Sequence, residues 1–242
     1  RVGYSSSAIK TVCKQSLAHY MAQKPLGDSP AFALGSAVHA TLLEPDRDLV
    51  IKGPKTRASK MFKDLYNNRT EDEVVLTEVE YYVHKKMCHS ALDNTTCSKI
   101  LTDSRRVTES SIFVADKVTG LNLKTRPDLY IPETGQLFDI KTTIDASPTG
   151  FAEQVGKYMY HVQAAFYVLT CKKAGLKATE FNFIAIEKTA PYITHLHKVS
   201  PELLKEATEQ VEETLAHIAE ANKSGVFSTG WGDYSTLKVG DF

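Results

Sequence analysis

The spacing of hydrophobic residues changes to a strand-like alternation in the middle of the chain. Apolar and polar residues alternate over residues 110–118, 121–131 and 136–143, and turn residues separate the three segments. This alternation is typical of β-strands and predicts a β-meander. Residues 179–187 and 192–198 predict two further strands, so the chain has a β-rich centre.

Helical spacing flanks these strands. It predicts helices over residues 5–23, 32–43, 77–101, 147–173 and 200–224. The last two helices open with Ser-Pro, because serine caps a helix and proline fits its first turn. Residues 46–75 are polar and irregular. Strands in the middle with helices around them predict an α/β or α+β fold with a central sheet.

Composition narrows the class of protein. Of the 242 residues, 42% are hydrophobic and 24% are charged, ordinary proportions for a globular protein. No apolar run approaches the ~20 residues that a membrane span needs, and the start is unlike a signal peptide. Four widely spaced cysteines favour reduced thiols in the cytoplasm over disulfides or a zinc site. The chain begins with Arg1, which leaves open whether it is a piece of a longer protein.

The charge is balanced overall but unevenly distributed. The formal net charge is zero, which argues against nucleic-acid binding over the whole surface. Residues 1–70 carry eleven Lys or Arg against five Asp or Glu, whereas residues 201–221 are strongly acidic. This asymmetry permits a local phosphate-binding face, although a basic run is also typical of a solvated loop.

Three charged residues lie in otherwise apolar strand segments. Asp139 and Lys141 share one face of the third strand of the predicted meander, and Asp128 lies across the turn near Glu133. An unpaired buried charge is strongly destabilising. Two neighbouring carboxylates therefore need a cation between them, and a hard divalent ion suits their oxygen atoms.

The spacing of these residues matches the PD-(D/E)xK nuclease pattern, as Pro127-Asp128 followed by Asp139-Ile140-Lys141. The pattern alone is degenerate. Further matches support it: Gln163 and Tyr167 form a Q-x-x-x-Y pair on the next helix, which marks the RecB-like branch of these nucleases. His39 matches the histidine that this branch uses near the metal. Glu109 resembles the acidic residue on the strand that precedes the strand of Asp128.

Longer segments bring the resemblance to family level. The sequence is similar to the RecE (exonuclease VIII) nuclease domain and its phage-encoded relatives through "GSAVHATLLEP", "TESSIFVADKVTGLNLKTRPDLYI", "FDIKTTIDAS" and "YMYHVQAAFY". The resemblance covers roughly residues 30 to 200, and "GWGDYSTLKVGDF" also resembles the end of that domain. It implies a restriction-endonuclease-like α/β core with a central mixed sheet flanked by helices.

The resemblance also implies a site. Its magnesium ligands would be His39, Asp128, Asp139 and the Ile140 backbone carbonyl, with manganese as an open alternative. Lys141 would position the attacking water. Supporting catalytic roles would fall to Glu109, Gln163 and Tyr167. DNA contacts are expected from the basic residues Lys52, Lys55, Arg57, Lys60 and Arg126.

The implied function is a metal-dependent 5′-to-3′ double-strand DNA exonuclease that leaves 3′ overhangs for recombination by strand annealing. Its implied partners are duplex ends, copies of itself in a trimeric or tetrameric ring, and a single-strand annealing protein. We expect a single nuclease domain over residues 1–242. It comprises a helical, basic part (1–75), a catalytic core (76–200) and a C-terminal helix and tail (201–242).

Other interpretations remain open on the residues alone. His39 could be a core histidine, Glu109 could cap a strand edge, and Gln163 and Tyr167 could be ordinary helix residues. Arg126 could pair with a carboxylate instead of a phosphate. At the level of function, the alternatives are an endonuclease with the same metal core, and a DNA-binding or assembly protein without catalysis. Retention of both aspartates and the lysine argues against the latter.

Overall fold

A five-stranded mixed sheet lies at the centre of the protein. The computed structural model describes residues 3–24 and 29–232. Their elements, in chain order, are α1 (Ser6–Lys14), α2 (Leu17–Ala22), α3 (Pro30–Leu43), β1 (Val50–Lys52), α4 (Lys60–Asn68), β2 (Val74–Leu76), α5 (Glu78–Asp93), α6 (Thr95–Leu101), β3 (Val107–Thr108), β4 (Ile112–Ala115), β5 (Asn122–Thr125), β6 (Leu129–Ile131), β7 (Gln136–Thr143), α7 (Pro148–Lys157), α8 (Tyr160–Lys173), β8 (Glu180–Glu187), β9 (Thr194–Lys198) and α9 (Pro201–Ser224).

The strand order in the central sheet is β3-β6-β7-β8-β9. β7 and β8 run parallel, and the other neighbouring pairs are antiparallel. The crossover from β7 to β8 is made by α7 and α8, as parallel neighbours require. The predicted α/β class, with a mixed sheet flanked by helices, is therefore confirmed.

Helices cover both faces of the sheet. Most residues of β7 and β8 are therefore buried, whichever face they point to. On one face, Phe138 and Ile140 pack with apolar residues of α3, α5 and α6. On the other, Leu137 and its neighbours pack with α7 and α8. Alternate residues of β7 thus face different helices, and Asp139 and Lys141 share the face of Leu137.

A third apolar cluster extends the protein beyond α8. Ile9 of α1 and Leu215 of α9 pack there with Val162 and Phe166, on the side of α8 away from the sheet. The amphipathic α9 buries its apolar stripe in this cluster and exposes most of its acidic side chains. None of the helices in the described ranges has the length and apolarity required to span a bilayer.

Three predicted helices are each two helices in the structure. Residues 5–23 divide before Ser16, whose side chain caps α2 by accepting from the His19 amide. Residues 77–101 divide at Asn94, which caps α6. Residues 147–173 divide at Met159, whose φ of 55° lies in the left-handed region. Periodicity continues through such breaks, because one or two residues redirect the backbone without changing the apolar pattern.

Two strand predictions were wrong. The meander does not form: β4 and β5 pair as a separate hairpin, and the predicted strand 121–131 breaks between Thr125 and Leu129.

Residues 46–75 were expected to be irregular but contain β1, α4 and β2. β1 and β2 have three residues each and pair in parallel, so their partner is distant in the sequence. Such short strands carry little periodic signal.

Candidate active site

Asp139 and Lys141 form an ion pair within β7. The Lys141 Nζ contacts Asp139 Oδ2, and Asp139 is almost completely buried. Burial disfavours the charged lysine, but the carboxylates of Asp139 and Asp128 raise the Lys141 pKa above its ordinary value. Lys141 is therefore held as a cation, with its ammonium group 5.0 Å from the centre of the Tyr160 ring.

Asp128 lies directly before β6 and opposite Asp139. The pairing of Leu129 with Phe138 sets this register, and Gly135 permits the turn because its φ is 77°. Asp128 Oδ2 accepts a hydrogen bond of 2.6 Å from the Ile140 amide. Burial is the largest influence on its carboxyl group, and the pKa of Asp128 is raised to about 7.

His39 reaches the two strands from α3. Its Nδ1 lies 3.4 Å from Asp128 Oδ2, and its Nε2 lies 2.9 Å from the Ile140 carbonyl oxygen. One imidazole ring thus contacts both the carboxylate and the carbonyl expected at the metal site. His39 is half-buried, so one edge of its ring remains accessible.

Glu109 completes the acidic cluster. It follows β3 with a φ of 50°, a conformation that is strained for a residue other than glycine, and its amide bonds the Asp128 carbonyl at 3.2 Å. Arg126 Nε lies 2.6 Å from Glu109 Oε2. The structure therefore shows Arg126 paired with a carboxylate, one of the two partners that its position allowed.

These residues fit a divalent cation. One ligand atom from each of His39, Glu109 and Asp128 lies within 4.8 Å of the others. Two carboxylates and a nearby backbone carbonyl supply oxygen, which suits magnesium or manganese. Asp139 stands beside this group with its oxygens directed to Lys141 and Gln163.

Helix α8 supports Asp139 from the other side. Gln163 Nε2 donates a hydrogen bond of 2.6 Å to Asp139 Oδ1, and both side chains are buried. Gln163 Oε1 accepts from the Lys10 ammonium group at 3.2 Å. A chain of contacts therefore runs from the partly buried Lys10 through the buried Gln163 and Asp139 to Lys141.

Tyr167 lies one turn further along α8 and has a packing role. Its ring meets Phe181 edge-on, with the ring centres 5.8 Å apart, and it contacts two of the apolar clusters. Burial, with the charges of Asp139 and Asp128, raises the pKa of Tyr167 to about 12. The hydroxyl therefore stays protonated at neutral pH.

A groove of about 1140 Å³ runs beside the acidic cluster. α3, the segment from β1 to β2 and the end of β7 form its walls, and His39, Glu109 and Lys141 face into it. Its other charged lining residues are the basic Arg47, Arg57, Lys63, Arg69 and Arg126 and the acidic Glu44, Glu71, Asp72 and Glu73.

Only some of the expected DNA contacts line this groove. Arg57 and Arg126 do, although Arg57 also binds Glu80 through two hydrogen bonds. Lys52 instead pairs with Glu78 and the Tyr82 hydroxyl. Lys60 lines a neighbouring depression, and Lys55 is exposed outside the groove.

Two residues of the site were not identified from the sequence. Lys10 is brought to Gln163 by the packing of α1 on α8, a contact across 153 positions that leaves no local pattern. Tyr160 lines the groove under Lys141. Its position follows from the break at Met159, which the helical spacing did not reveal.

Comparison with solved structures agrees with this fold. A candidate exonuclease from Eubacterium rectale has a TM-score of 0.66 at 17% identity, covering 93% of this chain and 83% of that one. A phage-related exonuclease from Haemophilus somnus 129PT scores 0.38 at 12% identity, covering 93% and 97%. An alkaline exonuclease from Laribacter hongkongensis scores 0.31 at 13% identity, covering 81% and 95%. At 17% identity, the likeness to the first of these structures shows a shared fold.

Sequence comparison identifies the family. No curated protein matches the chain. A model described as a PDDEXK-like domain of unknown function (DUF3799) matches residues 5–236, nearly the whole sequence. This match confirms the PD-(D/E)xK resemblance read from Asp128, Asp139 and Lys141, and it supports a nuclease function. The chain belongs to the PDDEXK-like family DUF3799.

Proposed function

We propose that this protein is a metal-dependent exonuclease that degrades one strand of duplex DNA from its 5′ end and leaves 3′ overhangs. The observation that carries the proposal is the cluster of His39, Glu109 and Asp128 beside the Asp139–Lys141 pair, at the wall of a groove. The family supports the nuclease chemistry. The direction of degradation and the overhang rest on the sequence resemblance.

Each side chain has a distinct task in this proposal. His39, Glu109 and Asp128 would hold the cation, with Asp139 and the Ile140 carbonyl beside them. Such an ion neutralises negative charge on the phosphate and acidifies a bound water. Lys141 presents an ammonium group to the attacking water or to a phosphate oxygen. Gln163 fixes the Asp139 carboxylate through its 2.6 Å hydrogen bond.

The raised pKa of Lys141 matters for this task. The carboxylates of Asp139 and Asp128 raise the pKa of Lys141, which favours the ammonium form and an electrostatic, positional contribution. Its neighbour Asp139 keeps the ammonium group at one place, and the Tyr160 ring limits its movement on another side. The lysine is therefore oriented before DNA arrives.

The proposal extends to assembly. A trimeric or tetrameric ring would place the groove of each copy toward a central duplex, so the basic groove residues would face DNA while acidic α9 faces outward. Such a nuclease would work in the cytoplasm of a bacterial or phage-infected cell and supply overhangs to a single-strand annealing protein. These features rest on the resemblance.

A cleavage assay tests the proposed function. The substrates are 5′-labelled linear duplex DNA and covalently closed circular DNA, each incubated with Mg²⁺. The controls are EDTA and Asp139→Ala. We expect loss of the linear duplex alone, with labelled mononucleotide released from the first time points, and no loss in either control.

Three outcomes of this assay would contradict the proposal in different ways. Nicking of the circle would favour an endonuclease. Late release of the 5′ label, after shortening of the strand, would reverse the direction. DNA binding without cleavage of either substrate would favour a binding or assembly role.

A further inference from the structure

Lys10 occupies an unusual position for a lysine. It lies on α1, which packs against α8 through Ile9, and its side chain reaches Gln163 Oε1 at 3.2 Å. Its ammonium group is 5.7 Å from the centre of the Tyr160 ring, the same ring that Lys141 approaches at 5.0 Å. Two lysines from distant parts of the chain therefore converge on one groove-lining aromatic ring.

The charge of Lys10 lacks a dedicated anion. In the described ranges it forms no ion pair, and Asp139, the carboxylate whose charge acts on it, is already paired with Lys141. Burial, followed by the charge of Lys141, lowers the pKa of Lys10 to about 8, so the ammonium group stays mostly protonated at neutral pH. A partly buried cation without an anion is unfavourable in the isolated protein.

We propose, on the basis of the nuclease function proposed above, that Lys10 binds a phosphate of the DNA strand through a non-bridging oxygen. The phosphate is the anion that balances its charge. Tyr160 and Lys141 line the groove, and Lys10 approaches the same Tyr160 ring from α1, so a strand that reaches Tyr160 can engage both ammonium groups. Gln163 then orients Lys10 as well as Asp139, which gives this buried glutamine two polar partners.

Substitution of Lys10 tests this role. Lys10→Met removes the charge and keeps an unbranched side chain, Lys10→Arg keeps the charge, and Lys99→Met is the control at an exposed position on α6. The measurement is kcat/KM on linear duplex DNA with Mg²⁺ between 50 and 200 mM KCl. Circular dichroism and thermal unfolding establish that each variant is folded.

Lys10→Met should lower kcat/KM by about ten- to a hundred-fold, the effect of one lost charge-assisted contact. The plot of log kcat/KM against log salt should become shallower by about 0.7 to 0.9, the contribution of one phosphate contact. Lys10→Arg should retain the wild-type slope, and Lys99→Met should match the wild type.

The slope of log kcat/KM against log salt distinguishes two roles of Lys10: binding a phosphate, and supporting the side chain of Gln163. If Lys10 acts only through Gln163, Lys10→Met lowers activity without changing the slope and has no effect in a Gln163→Met background. Either result would overturn the proposal. If the wild type cleaves DNA and Lys10→Met shows the same salt slope, only the proposed role of Lys10 is refuted. If the wild type does not cleave DNA, the proposed nuclease function itself is refuted.

Discussion

Individual charges in buried strands determine the chemistry of this protein. Asp139 has Lys141 and Gln163 as partners, and Asp128 has the Ile140 amide and His39. The local sequence predicted which charges converge, because a two-residue strand period and a short turn leave few alternatives. It did not predict the Lys10 contact, which depends on how α1 packs on α8.

Loss of the Lys141 charge should abolish cleavage. We expect Lys141→Ala to lower kcat by at least about a hundredfold, because it removes a preorganised charge next to the reacting phosphate. The fold should persist, since Asp139 keeps its hydrogen bond from Gln163. Steady-state kinetics and circular dichroism measure the two effects, with Lys99→Ala as the surface control. Cleavage at the wild-type rate would remove Lys141 from the mechanism.

Loss of Asp128 should weaken metal binding. Asp128→Asn retains the shape of the side chain and an oxygen acceptor for the Ile140 amide but removes the negative charge beside His39 and Glu109. Mg²⁺ affinity measured by titration calorimetry should fall at least about tenfold. Asp93→Asn, at an exposed carboxylate of α5, should bind as the wild type does. Unchanged affinity in Asp128→Asn would contradict its assignment as a ligand.

At the scale of elements, the site depends on how α3 is held against the sheet. α3 carries His39, and Thr41 on the same helix forms a 2.8 Å hydrogen bond with His84 Nε2 of α5. His84 is fully buried. Its burial, followed by the charge of Lys85, lowers the pKa of His84 to about 4. The α3–α5 contact is therefore formed by a neutral histidine.

Acidification should destabilise the fold through His84. Its pKa falls from 6.5 in the unfolded chain to about 4 in the folded one, so only the unfolded state takes up a proton between these values. The stabilisation is complete above pH 6.5 and is lost as the pH falls toward 4, a change of about 3 kcal/mol.

Urea unfolding between pH 7.5 and 4.5 measures this contribution. His84→Phe should show a shallower decline in the free energy of unfolding than the wild type. His89→Gln alters an exposed histidine and should decline as the wild type does. If the free energy of unfolding falls equally with pH in His84→Phe and the wild type, the pKa of His84 is not lowered in the folded protein.

Prediction of elements succeeded where the burial pattern was strong. The sequence indicated β7, β8 and β9 because each is a periodic or continuously apolar run between clear turn residues. The short β1 and β2 were missed, although the segment between them forms a wall of the groove. Their pairing depends on contacts across more than twenty residues, which local spacing does not encode.

At the scale of the whole molecule, the groove is lined by both basic and acidic side chains. The basic residues 47 to 69 surround the groove only in part, since Lys52, Lys55 and Lys60 lie elsewhere. The sequence showed that a basic surface was available but not which side chains face the site, because that depends on α4 and its turns. We propose that residues 1–242 form a single nuclease domain; residues 25–28 and 233–242, including most of the "GWGDYSTLKVGDF" segment, lie outside the described ranges.

The proposed ring gives a prediction at this scale. Light scattering of the purified protein at micromolar concentration should give three or four times the mass of one chain. The result should not depend on DNA, because a ring must exist before a duplex end can enter it. A monomer mass over the whole concentration range would contradict the ring while leaving the metal site untouched.

We propose that the buried charges of Asp128, directly before β6, and Asp139, on β7, serve to bind a divalent ion. Diffraction from crystals grown with Mn²⁺, recorded at the manganese absorption edge, tests it directly. We predict a strong anomalous peak among His39, Glu109, Asp128 and Asp139, and its absence in Asp128→Asn crystals. A wild-type map without a peak there, at saturating Mn²⁺, would contradict the account.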